Sequence, residues 1–156
     1  MYAILIGRYE FLPTTKRRYT VVVRACHNQG GVWWSVEGAS LSAESRGDTM
    51  IITISGDLDI VTSPQLDECL TRAEADYSRI ILDFGQVSFL DTSALAVIVG
   101  HWKKAEAKGG TLALANARYR YTKTLWITGL ADKLALYDTV DAGLAALARA
   151  AGPADG

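Results

Sequence analysis

Two cysteines, two histidines and three prolines in 156 residues exclude several kinds of protein at once. Cys26 and Cys69 stand far apart without metal-type spacing, so neither a disulfide framework nor a thiolate zinc site is expected. Cys69 falls on the apolar side of an expected helix and reads as core filling. His27 and His101 lack the neighbours of a metal pair, and each reads as a surface or packing residue. No stretch approaches the roughly 18 apolar residues of a membrane span, and Ala3-Ile4-Leu5-Ile6 is too short for a signal-peptide core. The expectation is a soluble protein of a reducing cytoplasm, with no membrane insertion. A net charge of −1 offers no global attraction for nucleic acid. The basic clusters Lys16-Arg17-Arg18 and Arg118, Arg120 and Lys123, interleaved with tyrosines, read as solvated faces.

There are no internal repeats and no low-complexity linkers, and the length suits one domain with a genuine core. Residues 39–150 are expected to form that domain, with 1–38 an N-terminal extension and 151–156 a short tail. In the extension, Tyr19 to Cys26 is strand-like, Asn28-Gln29-Gly30-Gly31 supplies turn chemistry, and Val32 to Val36 returns as a partner strand. A hairpin and a partly disordered leader are both open readings. Trp33 and Trp34 would pack on the core or form a contact patch.

The domain then alternates in type. Leu41 to Glu44 and Met50 to Ile54 read as strands joined by a turn around Arg46-Gly47-Asp48. A helix begins near Ser63, with Ser63 or Thr62 as cap and Pro64 in the first turn; Leu66, Cys69, Leu70 and Ala73 share one face. Arg79 to Phe84 is a buried central strand. A helix follows Asp91, a strand spans Thr111 to Ala115, and a helix from Arg118 to Thr128 stops at Gly129. Leu134 to Tyr137 forms a last strand, and Asp138 or Thr139 caps a final helix with Val140, Leu144 and Leu147 on its apolar stripe. Strands alternating with about four helices imply an α/β fold on a mixed, mostly parallel sheet.

Phe89-Leu90-Asp91-Thr92-Ser93-Ala94-Leu95 is the most informative stretch, because it puts a hydroxyl pair where a buried segment turns into a helix. Backbone N–H groups lack intrahelical partners there and the macrodipole is positive, so a phosphoryl group is tolerated at that point. Ser93 is the candidate acceptor, with Thr92 second. Leu95, Ile98, Val99 and Trp102 recur with helical period on the buried face. A second apolar stripe of Ala96, Val97 and Gly100 runs from Ser93 toward Lys103 and Lys104 without a charge in its first two turns, and is expected to be a docking surface.

Taken with Gly56-Asp57-Leu58-Asp59 upstream, Thr62-Ser63-Pro64 at a helix start, and Thr128-Gly129-Leu130 before a short strand and last helix, this stretch resembles the STAS family, particularly bacterial anti-sigma factor antagonists. The likeness covers about Ala39 to Ala150. It implies a STAS-like mixed sheet with an added N-terminal hairpin-like extension. It also implies a partner-switching role in bacterial transcription and stress control. The unphosphorylated protein would bind an anti-sigma factor with serine kinase activity and free a sigma factor. Phosphorylation at the position matching Ser93 would end that binding, and a phosphatase would reverse it. The loop matching Asp57, Asp59 and Thr62 would join the contact with Asp91, Thr92, Ser93, Ala94, Ala96, Val97 and Gly100. Thr92 before the serine and Ala94 after it depart from the commonest pattern. Single STAS domains also serve as subunits of membrane lipid or anion transport systems, or of stress-sensing assemblies, which is the alternative reading.

An enzyme needs a poised base, nucleophile or metal site, and little of that is legible. Asp57, Asp59, Asp83 and Asp91 fall at strand ends and helix starts, where an acidic cluster can gather, but no phosphate-cradling glycine loop accompanies them. Gly109-Gly110 reads as a plain helix-to-strand turn. A binding module without turnover, cofactor or metal is expected.

Overall fold

The computed structural model describes residues 22–28, 31–36, 39–117, 123 and 125–150. The segment Ala3 to Ile6, the cluster Lys16-Arg17-Arg18, Arg118 and Arg120, the 151–156 tail, and the side chains of Cys26, His27, Trp33 and Trp34 lie outside the described residues. In chain order the elements are β1 (Val22–Asn28), β2 (Gly31–Val36), β3 (Ala39–Arg46), β4 (Thr49–Leu58), α1 (Ser63–Asp76), β5 (Arg79–Leu90), α2 (Thr92–Ala107), β6 (Thr111–Ala115), β7 (Ala135–Tyr137) and α3 (Val140–Ala150). A 3₁₀ turn spans Leu130–Asp132, and Lys123 and residues 125–127 are helical.

The seven strands form one sheet in sequential order. β1 to β4 are joined by antiparallel pairings and β4 to β7 by parallel ones. The sheet is mixed, as expected. It is less parallel than the alternation of elements implied, because the β1–β2 hairpin adds antiparallel strands to the β3 edge. Gly129, at φ 73°, takes the left-handed conformation expected where the chain leaves the helical turn at 125–127.

Period-two alternation divides the strands between two cores. Ile52, Ile54, Leu82 and Leu114 face α1 and α2, meeting Leu66, Leu70, Leu95 and Ile98. Ile51, Ile81, Ala113 and Ala115 face the other way, against Leu147 of α3. Gly143 lets α3 approach closely, since a Cβ there would stand 3.1 Å from the Tyr137 ring and 3.2 Å from Ile81 Cδ1. The α1 stripe of Leu66, Cys69, Leu70 and Ala73 is buried as the spacing requires. Burial pushes the Cys69 thiol up to about 12, with Arg72 opposing and Glu68 adding to the shift. Thr139 Oγ1 accepts from Ala142 N at 3.1 Å and so decides the α3 cap between the two expected residues.

β5 runs six residues beyond the expected Phe84 end, to Leu90. Thr53 pairs with Asp83 but Ser55 with Gln86, and Gly56 pairs with Val87 but Asp57 with Phe89, so β5 carries an extra residue at two places. At the first, Asp83 Oδ1 accepts from Gly85 N at 3.0 Å and Asn116 Nδ2 at 2.8 Å. The glycine and glutamine that look like a strand end are absorbed as bulges. The strand thereby delivers Asp91 beside the end of β4.

Candidate functional site

Asp91 is extended (φ −100°, ψ 177°) and caps α2, its Oδ1 accepting from Ser93 N at 2.9 Å and Ala94 N at 3.1 Å. Two of the unpartnered donors at this helix start are therefore already occupied by a carboxylate. Thr92 is exposed and Ser93 half-buried, while Ala94 is fully buried. Of the pair, Thr92 is the more exposed residue.

Asp91 N donates to Leu58 O at 2.9 Å, tying the start of α2 to the loop after β4. That loop is wired internally. Asp59 Oδ1 accepts from Val61 N at 2.9 Å and Thr62 N at 3.1 Å. Thr62 Oγ1 accepts from Asp59 N at 2.9 Å and donates to Asp57 O at 2.8 Å. Thr62 is the α1 cap residue by position, but its hydroxyl serves the loop and makes no capping bond to the helix. These bonds fix Ile60 at the loop tip, 72 % exposed.

The α2 helix has the two faces its sequence implied. Ala94, Leu95, Ile98 and Trp102 are buried, with Val99 partly buried against the same core. Ala96 and Gly100 are exposed and Val97 is half-buried. An open groove of about 470 Å³ runs between α1 and α2, lined by Ser63, Pro64, Asp67, Ala96, Val97, Gly100, His101 and Lys104. His101 lies beneath it at 2 % exposure, Nδ1 at 2.5 Å from Glu74 Oε1 and Nε2 at 2.6 Å from Asp67 Oδ1. One α2 side chain thus holds α1 at two points about two turns apart.

The structure brings together Asp57, Asp59, Thr62, Asp91, Thr92 and Ser93 at the ends of β4 and β5. Ala96, Val97 and Gly100 continue along the open side of α2. Two of the expected partner-contacting residues are not available at the surface: Ala94 has no exposed area and Thr62 is 1 % exposed, so each supports the site from below. Asp83 does not join an acidic cluster, because its carboxylate holds the β5 bulge. Sequence reasoning missed Ile60 and Phe89, which at 72 % and 52 % exposure are among the large apolar side chains left in solvent; Trp126 and Ile127 are the others among the described residues. An apolar residue next to two Asp in a Gly-Asp-Leu-Asp loop was the available signal for Ile60. Phe89 gave none, since it looks like the continuation of an apolar strand.

Among the described residues no group of His, Cys, Asp and Glu is arranged to hold a metal ion, and no helix is long and apolar enough to cross a membrane.

The family model described as STAS domain matches residues 40–143. The anti-sigma F factor antagonist of Paenibacillus polymyxa is 30 % identical over 102 residues, 63 % of this chain and 86 % of that protein. Among solved structures, an anti-sigma factor antagonist from Mycobacterium paratuberculosis superposes with a TM-score of 0.65 at 23 % identity, over 70 % of this chain and 94 % of that one. The Bacillus cell fate determinant SpoIIAA in its phosphorylated form superposes with a TM-score of 0.58 at 23 % identity, over 69 % and 98 %.

Proposed function

Because the chain belongs to the STAS domain family, we propose that it is an anti-sigma factor antagonist whose open α2 face binds an anti-sigma factor in the cytoplasm and whose hydroxyl pair is the off switch. The single observation that carries this reading is the pairing of two surfaces at one helix start. The hydroxyls of Thr92 and Ser93 border an apolar strip in which Ala96 and Gly100 are exposed and Val97 is half-buried against the core.

The partner on this reading is an anti-sigma factor that is also a serine or threonine kinase, opposed by a phosphatase. Such a kinase must bring the terminal phosphate of ATP to the hydroxyl it modifies, so binding and phosphorylation use one contact. A phosphoryl group brings about −1.5 to −2 charges. Asp91 already fills the Ser93 and Ala94 N–H groups, so the helix end has little left to bind that charge in place. The phosphoryl group would stand outward, beside the Asp91 carboxylate and against the phosphates of any nucleotide the kinase still holds. Like charge and bulk then weaken the complex without unfolding the antagonist.

Ser93 is the acceptor expected from the sequence, and Thr92, the more exposed residue of the pair, is the alternative. Asp91 stands as a helix cap and source of like charge in this scheme, and the protein has no turnover of its own.

The experiment is a paired capture from host lysate with wild type, Thr92→Asp, Ser93→Asp and Ala96→Arg as baits. Wild type retains an ATP-binding anti-sigma factor, the Asp variant at the true acceptor loses it, and Ala96→Arg loses it while its circular dichroism melt stays at the wild-type temperature. Phosphorylation of Thr92→Val or Ser93→Ala by the captured kinase then identifies the acceptor. Retention of the same protein by all baits would refute the reading, as would sustained ATP hydrolysis by the pure protein that Asp91→Ala removes.

A further inference from the structure

We propose that Ile60 and Phe89 are the two apolar anchors with which this protein grips its partner, and that the partner meets them with an apolar pocket edged by lysine or arginine. The inference rests on the antagonist reading and adds to it the chemistry of the surface that must be engaged.

Three observations carry it. First, Ile60 and Phe89 are 72 % and 52 % exposed, whereas most larger aliphatic side chains among the described residues are buried. Burying either against a partner removes apolar area that folding left in water. Second, both are held in place before any partner arrives. Phe89 is a β5 residue in register with Asp57, and its neighbour Leu90 is buried on the opposite face. Ile60 sits in the loop closed by the Asp59 and Thr62 hydrogen bonds, and Asp91 N to Leu58 O joins the two strand ends from which these side chains project. Preorganised anchors lose little entropy on binding, which is the condition under which one or two side chains dominate an interface.

Third, the two described segments that carry the anchors have one sign of charge. From Asp57 to Thr71 and from Asp83 to Trp102 the sequence has no lysine or arginine. Asp57 and Asp67 are exposed, and Asp59 and Asp91 are half-buried beside the anchors. The cations of α2, Lys103 and Lys104, come only at its far end. A partner with an acidic edge would be repelled, and one with a basic edge would be steered in.

The test uses the full chain and the anti-sigma factor that wild type captures, purified and titrated calorimetrically. Ile60→Ser and Phe89→Ser are each expected to weaken binding by about tenfold or more, with the melting temperature little changed for Ile60→Ser, which is 72 % exposed. Should Phe89→Ser lower the melt, Phe89→Gln, which retains an aliphatic stem, provides the same comparison. Wild-type affinity should fall as salt rises, and Asp57→Asn should flatten that dependence. If both serine variants bind like wild type while Ala96→Arg abolishes binding, the anchors are wrong and the antagonist reading stands. Salt-independent wild-type binding overturns the basic edge. Failure of wild type to bind any anti-sigma factor removes both.

Discussion

Replacing Gly100 separates the needs of the fold from the needs of the interface more cleanly than any other substitution in α2. Gly100 lies in the interior of α2, is exposed, and apart from its chain neighbours and the backbone of its own helix has no heavy atom within 4 Å of where a Cβ would stand. The domain has no packing reason to keep a glycine there. Gly→Ala in a helix interior is worth about 0.8–1 kcal/mol through propensity and through the unfolded chain's entropy. For a chain of this length that corresponds to a rise in melting temperature of about 2–4 °C. Leucine has nearly the same propensity, and a helical side chain leans toward the preceding turn, so Gly100→Leu would lie over Ala96 and Val97 in the groove. The expected result has opposite signs in two assays. Thermal melts of Gly100→Ala and Gly100→Leu rise, while titration with the anti-sigma factor shows affinity little changed for alanine and reduced by about tenfold or more for leucine. A melt that falls would mean that Gly100 serves the fold and that the open space is illusory. Leucine binding as tightly as glycine would place the interface elsewhere.

Other consequences follow from single interactions. Asp91→Ala removes an acceptor shared by two backbone donors and should lower stability in urea by about 1 kcal/mol, with Asp91→Asn retaining most of it. His101→Ala leaves the Glu74 carboxylate only slightly exposed and without its partner, and opens space beneath the α1–α2 groove; a loss of about 2–4 kcal/mol is expected by chemical denaturation. The Cys69 thiol, pushed up to about 12 by burial, should resist alkylation in the native protein and react at once in denaturant. Its folded value lies above its unfolded one, so the neutral thiol is favoured by folding. That contribution is complete below about pH 8.5, declines as pH rises toward 12, and should vanish from the difference in alkaline stability between wild type and Cys69→Ala.

Much of the domain was legible because local rules and tertiary demands agree. Leu66, Cys69, Leu70 and Ala73 announce a helix face by spacing, and burial confirms it. Asp91 announces a cap, and its carboxylate makes the capping bonds. Legibility failed where a side chain served something distant in sequence. Gly85 and Gln86 look like the end of a strand, yet Asp83 reaches Asn116 and the strand continues through a bulge. Thr62 looks like a helix cap, yet its hydroxyl bonds back to Asp57 and Asp59. His101 looked unremarkable because its partners, Asp67 and Glu74, stand on another helix.

The sequence by itself determined the elements, the apolar faces of α1 and α2, the capped hydroxyl pair at the start of α2 and the resemblance to a family, because all of these are written in spacings of a few residues. Only the tertiary structure decided which apolar residues stay in water. Ala94 and Ala96 are the same residue two positions apart on one helix, and one is sealed while the other is open. Phe84 and Phe89 lie on one strand, and one is core while the other faces solvent. Burial is a property of what arrives opposite a side chain, and for this protein that depends on two bulges in β5, a wired loop after β4 and a histidine that ties two helices together.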